Sequence, residues 1–101
     1  MSGGELLFLA MATCYCSDIY REAAKRNIKV ESVELKVDGN FEAEGKPASN
    51  IVCRARIKAD ATQAEIRELM KHTDTVAEIQ NTVRAGIPVA WKWTNAACSL
   101  I

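Results

Sequence analysis

Cys14 has the side chain with the clearest capacity for chemistry in this sequence. It lies in an apolar segment, and a cysteine thiol becomes a nucleophile when a cation, a histidine or a helix N-terminus lowers its pKa. Asp18, one helical turn later, disfavours the thiolate, whereas Arg21, two turns later, favours it. The sequence is therefore consistent with two interpretations of Cys14, a reactive thiol and a small buried hydrophobic residue.

His72, the only histidine, is the second candidate for chemistry. Asp74 follows it two positions later, and a His–Asp pair can act in general base catalysis. A histidine at the end of a helix more often contacts the last carbonyl groups of that helix. We favour the capping interpretation for His72 and keep a functional pair with Asp74 as the alternative.

The remaining cysteines and the two tryptophans predict packing rather than a bound metal. Cys14 and Cys16 are two positions apart, which is not the C-x-x-C spacing of a zinc site, so we expect no metal and no cofactor. Cys16 and Cys53 are predicted in the core. Trp91 and Trp93 alternate along a strand pattern, where they either pack inward or line a ligand pocket.

The composition limits the class of protein. The chain has 101 residues, enough for one domain, and its 13 basic and 13 acidic residues give a formal net charge of zero. This balance does not favour binding to nucleic acid. The apolar run is too short to cross a bilayer, and the residues before it lack the basic leader of a signal peptide. Cys14 and Cys16 lie in one helix and cannot form a disulfide with each other. Free cysteines favour a protein of the reducing cytoplasm.

The elements that position these residues follow from the hydrophobic pattern. Residues 5–26 predict a helix that is apolar on all sides over its first half, and residues 30–38 and 51–59 alternate as two antiparallel strands. Two short helices follow, separated at residues 72–74, and residues 87–93 predict a last strand. The fold class is therefore α+β. A helix as apolar as the first one needs more cover than these elements supply, so a homodimer is expected.

Two segments resemble a known family. Glu5-Leu-Leu-Phe-Leu-Ala-Met-Ala-Thr-Cys14, which continues into an amphipathic helix and a Val-Glu-Leu-Lys-Val strand, resembles the central helix of the OsmC/Ohr family. Asp74-Thr-Val-Ala-Glu-Ile-Gln-Asn-Thr-Val-Arg-Ala-Gly86 followed by Ile-Pro-Val is similar to the second helical region and last strand of that family. The resemblance covers nearly the whole chain in the right order.

The resemblance implies an intertwined homodimer with an OsmC-like fold and a thiol peroxidase chemistry. Active members reduce organic hydroperoxides with two cysteines, and Cys14 matches the first one, which attacks the peroxide. The region that should hold the second cysteine, residues 71–75, has none. The family glutamate falls on Gly4, with Glu5 one step further on, and the family arginine belongs to an N-terminal strand region that precedes the helix. We expect residues 1–101 to form a single OsmC-like domain that lacks this strand region.

Two functions from different classes follow. In the first, the protein handles organic hydroperoxides or electrophiles in an oxidative stress response, with Cys14 as the nucleophile and Glu5, His72 and Asp74 as weaker candidates for the site. In the second, it is a non-catalytic dimeric module that binds a small hydrophobic ligand in the dimer cleft. The missing second cysteine leaves open whether the protein is an enzyme.

Overall fold

Helix α1, Gly3–Lys25, is the first and longest element of the computed structural model, which describes residues 1–93. It begins earlier than predicted because Ser2 caps it: the Ser2 hydroxyl accepts from the Glu5 amide at 3.1 Å, and the Glu5 carboxylate accepts from the Ser2 amide at 3.3 Å. The helix ends before Asn27, whose φ of 56° is the left-handed conformation expected at a helix stop.

One stripe of α1 faces the core. Tyr15, Ile19 and Ala23 are spaced at four residues and are buried against Leu69, as expected for one face of a helix. The apolar first half differs from the prediction, because Leu6 and Leu9 remain about half exposed within a single chain, at 53% and 51%. The core of the chain therefore lies against the second half of the helix.

The predicted hairpin is confirmed as a two-stranded antiparallel sheet of β1, Val30–Asn40, and β2, Ser49–Ala59. Its inner face packs on the core of α1. The opposing acidic and basic side chains of the outer face form three ion pairs at 3.0–3.6 Å. These pairs are Asp38–Arg54, Glu34–Arg56 and Glu31–Lys58.

Cys53 departs from its predicted place in the core. Its position opposite Val37 puts it in the alternation that also places Ala55 and Ile57 inward. The side chain is nevertheless exposed, because it lines an open pocket between β2 and the helices.

Two helices complete the described chain: α2, Gln63–Thr75, and α3, Glu78–Ala85. The capping box of Thr62 and Glu65 is confirmed at the start of α2, and Gly86 ends α3 with a φ of 60°. The break predicted at residues 72–74 is wrong, because α2 continues through them with Thr73 fully buried. The second predicted capping box is also wrong: Ala77 is the N-cap of α3 and makes no side-chain cap hydrogen bond.

The strand predicted at residues 87–93 is not formed. The sheet of the described residues has two strands, and Trp91 and Trp93 are 79% and 77% exposed, with their rings 6.0 Å apart. The tryptophans therefore do not pack on the core. Pro88 has no amide proton for a ladder, so alternation alone did not make a strand here. Within residues 1–93, no helix has the length and apolar character needed to cross a membrane.

We predict that Leu69→Ala lowers the free energy of unfolding by about 2–5 kcal/mol, because Leu69 is completely buried among the core residues of α1. Urea denaturation measures the change. The matched control is Val89→Ala, at a position that is 95% exposed, which should stay within about 0.5 kcal/mol of the unmodified chain. Equal losses in the two variants would contradict this location of the core.

Candidate functional site around Cys14

The thiol of Cys14 lies where α1 meets the N-terminus of α3. Its Sγ donates to Oδ2 of Asp18, one turn along α1, over 3.5 Å. The backbone N–H of Ile79, in the first turn of α3, hydrogen-bonds to the same sulfur, and the Glu78 carboxylate also approaches it. The sulfur is half-buried between a carboxylate and a helix N-terminus.

These neighbours act on the pKa of the Cys14 thiol in opposite directions. Burial raises this pKa most, the amide of Ile79 lowers it, and the carboxylates of Asp18 and Glu78 raise it again. The net result is a pKa above the ordinary value for a cysteine. Cys14 therefore rests as a neutral thiol whose proton faces Asp18.

A network of charges, in which two buried carboxylates meet partly exposed basic side chains, holds Asp18 in place. Arg21 donates from Nη1 to Asp18 Oδ1 at 2.9 Å and from Nε to Glu22 Oε2 at 2.9 Å. Glu22 also accepts from Lys25 Nζ at 3.1 Å and lies 3.0 Å from His72 Nε2. Asp18 and Glu22 are each only 4% exposed, so these contacts replace the water that both carboxylates lose.

Glu22 is the member of this network that sequence reasoning missed. Its hydrogen bonds from Arg21 and then Lys25 lower the pKa of its carboxyl group to about 2. The signal was present in the sequence, because Cys14, Asp18 and Glu22 are spaced at four residues and lie on one face of a helix. A glutamate such as Glu22, which lies among apolar residues of a helix, would ordinarily be predicted to point into solvent.

The structure separates the weaker site candidates from Cys14. His72 contacts Glu22 of α1 rather than Asp74 or the last carbonyls of its own helix, so the imagined His–Asp pair is not formed. Asp74 instead pairs with Arg84 at 2.6 Å. His72 nevertheless lies in the last turn of α2, the position that the capping interpretation predicted for it.

Glu5 serves as a helix cap and does not contact Cys14. Gly4, at the family position of a glutamate, lies beneath the ring of Phe41. A Cβ added at Gly4 would be only 2.5 Å from Cε2 of that ring. Because a larger residue at Gly4 would displace Phe41, this part of α1 is built for packing.

The other cysteines within residues 1–93 face different surfaces. Cys53 lines a pocket together with Met11 and Tyr15, and Cys16 lines a depression against β1. Cys14 lines neither of these. Cys98 lies outside the described residues.

Cys14, Asp18 and Glu78 bring one sulfur and two carboxylate oxygens within 4.8 Å of one another, which are ligand types that can hold a metal ion. Metal binding would require loss of the Cys14 proton, and Arg21 already neutralises Asp18. With this proton in place, Cys14 offers Asp18 a hydrogen-bond donor and offers a metal ion no thiolate ligand.

The family model described as "OsmC-like protein" matches residues 1–92. The chain belongs to the OsmC-like family. No curated protein matches the sequence significantly. The helix, hairpin and pair of short helices are those of an OsmC-like fold, which confirms the predicted α+β class.

Two solved structures share this fold. An OsmC-like protein from Mycoplasma pneumoniae matches with a TM-score of 0.70 at 18% identity, over 78% of this chain and 59% of its own. An OsmC-like protein of unknown function from Vibrio cholerae matches with a TM-score of 0.63 at 18% identity, over 79% of this chain and 56% of its own. The chain thus spans less than three-fifths of these relatives.

The charge network predicts a specific loss of stability in acid. The pKa of Glu22 is about 2 in the folded chain against 4.5 for a free glutamate, so Glu22 stabilises the fold fully above pH 4.5. This contribution is lost as the pH falls from 4.5 towards 2. In Glu22→Gln, the unfolding free energy should change less over this range, as measured by urea denaturation at successive pH values.

Glu42→Gln is the control for this experiment, because Glu42 lies in the exposed connection between the strands. It should keep the slope of the unmodified chain. If Glu22→Gln also keeps that slope, Glu22 is not held by Arg21 and Lys25 in solution.

Proposed function

We propose that this OsmC-like protein handles organic hydroperoxides or reactive electrophiles through a single thiol, Cys14. One observation carries the proposal: the thiol proton of Cys14 points at a buried carboxylate, Asp18, that Arg21 holds in place. A proton acceptor within hydrogen-bond reach is what a thiol of raised pKa needs before it can attack.

The contacts of Cys14 with Asp18, and of Asp18 with Arg21, supply the acid and the arginine that the family resemblance places in other parts of the chain. The resemblance assigns a glutamate and an arginine to positions before Cys14, and Gly4 occupies the first of these. Here a carboxylate and a guanidinium follow Cys14 on the same helix, at one and two turns. The site thus keeps a thiol, an acid and an arginine, with the last two supplied by α1 itself.

The proposed reaction begins when Asp18 takes the proton of Cys14. The thiolate attacks the terminal oxygen of the hydroperoxide, so an S–O bond forms and the O–O bond breaks. The alkoxide leaves, receives the proton from Asp18 and becomes an alcohol. Cys14 is oxidised to a sulfenic acid, and the amide of Ile79 at the N-terminus of α3 is placed to stabilise negative charge on sulfur.

An external thiol completes the cycle. Its sulfur attacks the sulfenic acid, an S–S bond forms and water leaves. A second external thiol then reduces this mixed disulfide, which returns Cys14 as a thiol and releases the external pair as a disulfide. Such a cycle requires a reducing compartment, so we place the protein in the cytoplasm.

A second function is favoured by the raised pKa of Cys14 itself, which slows attack at neutral pH. In this alternative the protein is a non-catalytic dimeric module that binds a small hydrophobic ligand in the dimer cleft. Both proposals use a homodimer. The support for it is the exposed apolar first half of α1, where Leu6 and Leu9 lie beside the contact of Phe8 with Phe41.

We expect light scattering at micromolar concentration to give twice the chain mass of 11.1 kDa. The double variant Leu6→Lys, Leu9→Lys should shift the protein to a monomer, because it places charge in the proposed contact. The control is Val89→Lys, at an exposed position outside α1, which should remain dimeric. A soluble monomer from the unmodified chain contradicts the homodimer.

Brief treatment with cumene hydroperoxide should add one oxygen to Cys14, as read by intact mass and peptide mapping. Further oxidant should give the sulfinic acid, and a small thiol should cap the sulfur as a mixed disulfide. Cys14→Ser should abolish the product, whereas Cys16→Ser should keep it. Asp18→Asn should slow the reaction by about 100-fold, because loss of the proton acceptor outweighs the lower thiol pKa that removal of the carboxylate gives.

Two results contradict the single-thiol reaction. Loss of two hydrogens with a disulfide from Cys14 to Cys53 or Cys98 would show that a second cysteine does resolve the first. If no cysteine reacts while the fold stays intact, the binding-module function takes its place.

A further inference from the structure

Two carboxylates lie beside the sulfur of Cys14, and they differ in exposure and in pairing. One oxygen of Asp18 and one of Glu78 lie within 4.8 Å of this sulfur. Asp18 is only 4% exposed and pairs with Arg21 at 2.9 Å. Glu78 is exposed in the first turn of α3, and its carboxylate forms no ion pair within residues 1–93. The solvent-facing charge next to the thiol is therefore that of Glu78.

The charges on α1 do not balance the charge of Glu78. Arg21 and Lys25 already donate to Asp18 and Glu22, so two cations meet two carboxylates there. Glu78 approaches the sulfur from a different helix and adds one negative charge. Its effect reaches the sulfur: burial raises the pKa of the Cys14 thiol most, and the carboxylates of Asp18 and then Glu78 raise this pKa further.

A molecule that reacts with Cys14 passes close to Glu78. The thiol is half-buried, whereas Glu78 and Ile79 of the adjoining helical turn are both exposed. The reacting atom of the molecule must contact the sulfur, and any charged group next to that atom then lies within a few ångströms of the Glu78 carboxylate. Over such a distance the carboxylate attracts a cation and repels an anion, and salt weakens both effects.

We infer that Glu78 is a specificity-determining residue of the Cys14 site. It favours cationic and uncharged hydroperoxides or electrophiles over those that carry an anionic group next to the reacting atom. This substrate class rests on the proposed function of Cys14. The selection by charge is a property of the thiol and its neighbours, so it can be measured with any electrophile of known charge.

The test uses two methanethiosulfonates of similar size and opposite charge, the 2-(trimethylammonio)ethyl and the 2-sulfonatoethyl reagents. The Cys14 sulfur attacks the sulfenyl sulfur of the reagent, an S–S bond forms, and methanesulfinate leaves as the old S–S bond breaks. Asp18 takes the thiol proton and passes it to solvent. Peptide mapping measures both rates in the full-length Cys16→Ser chain, in which the tryptic peptide that ends at Arg21 holds a single cysteine.

The quantity of interest is the ratio of the cationic to the anionic rate, divided by the same ratio for 2-mercaptoethanol, an uncharged thiol. We expect this normalised ratio to be about five at low salt, the effect of one exposed charge on two reagents of opposite sign. It should fall towards one at about 1 M salt, where such a charge is screened.

Two substitutions of Glu78 and one control assign the effect. Glu78→Gln should bring the normalised ratio to about one, and Glu78→Lys should bring it below one. Glu42→Gln removes the same charge from the exposed connection between the strands and should keep the ratio of the parent chain. Both reagents attack the same thiolate, so a change in the pKa of Cys14 or in the packing of α3 alters both rates alike and cancels in the ratio.

A second arm applies the same comparison to peroxides. Cumene hydroperoxide and its 4-carboxylate derivative differ by one negative charge, and the carboxylate should oxidise Cys14 several-fold more slowly. Glu78→Lys should remove this difference. If neither peroxide oxidises Cys14 while the thiosulfonate ratio depends on Glu78, the proposed peroxide reaction fails and the selection by charge stands.

Three outcomes overturn the inference. A normalised ratio of one in the parent chain means that Glu78 exerts no selection. An unchanged ratio in Glu78→Gln means that another group selects the charge. Absence of labelling of Cys14 by both reagents, with the fold intact, means that no electrophile reaches the sulfur past Glu78. Oxidation of Cys14 by cumene hydroperoxide in the first two cases leaves the proposed function in place.

Discussion

The placement of two carboxylates on the buried side of α1 is the constraint on which the site depends. Asp18 and Glu22 are each 4% exposed, and an unpaired carboxylate at such depth would take up a proton or unfold the helix around it. Arg21 bridges both, with 2.9 Å to each. A guanidinium suits this task because its planar fork presents several donors at fixed angles, which the single ammonium of a lysine does not.

Two polar contacts, one of them to Glu22, also connect α1 to α2. His72 of α2 reaches Glu22 at 3.0 Å, and Tyr15 of α1 donates to the Met70 carbonyl of α2 at 2.9 Å. The two contacts fix the rotation of α1 about its own axis. That rotation decides which residues meet α3, and so it places the sulfur of Cys14 beside the first-turn amide of Ile79.

Local sequence patterns correctly predicted the elements that are determined by interactions between neighbouring residues and strands. The alternation in residues 30–38 and 51–59 was sufficient for the hairpin, because one face is covered by α1 and the other carries paired charges. The same alternation in residues 87–93 failed, since a strand needs a partner and Pro88 offers no amide proton. Thr75 and Glu78 had capping-box spacing, but α2 continues to Thr75 because Thr73 is buried and its hydroxyl bonds to the Leu69 carbonyl.

Within the candidate site, the pair of Cys14 and Asp18 could be predicted from the sequence, but the contacts around this pair could not. Cys14 and its relation to Asp18 followed from helical spacing, whereas the contacts of Glu22 with His72 and of Cys14 with Ile79 join residues from distant parts of the chain. Sequence spacing gives no information on such long-range contacts until the helices are packed.

Two sides of α1 carry different functional groups because of the spacing of residues along the helix. Met11 and Tyr15 lie one turn apart on the side that meets β2, and Cys14 and Asp18 lie one turn apart on a neighbouring side. Gln80 of α3 donates to the Met11 carbonyl, so α3 is held against α1 between these two sides. Helix α3 thus places the backbone amide of Ile79 beside the Cys14 sulfur and the carboxamide side chain of Gln80 in the lining of the pocket. Because one rigid contact positions both, a shift of α3 along α1 would alter the thiol and the pocket together.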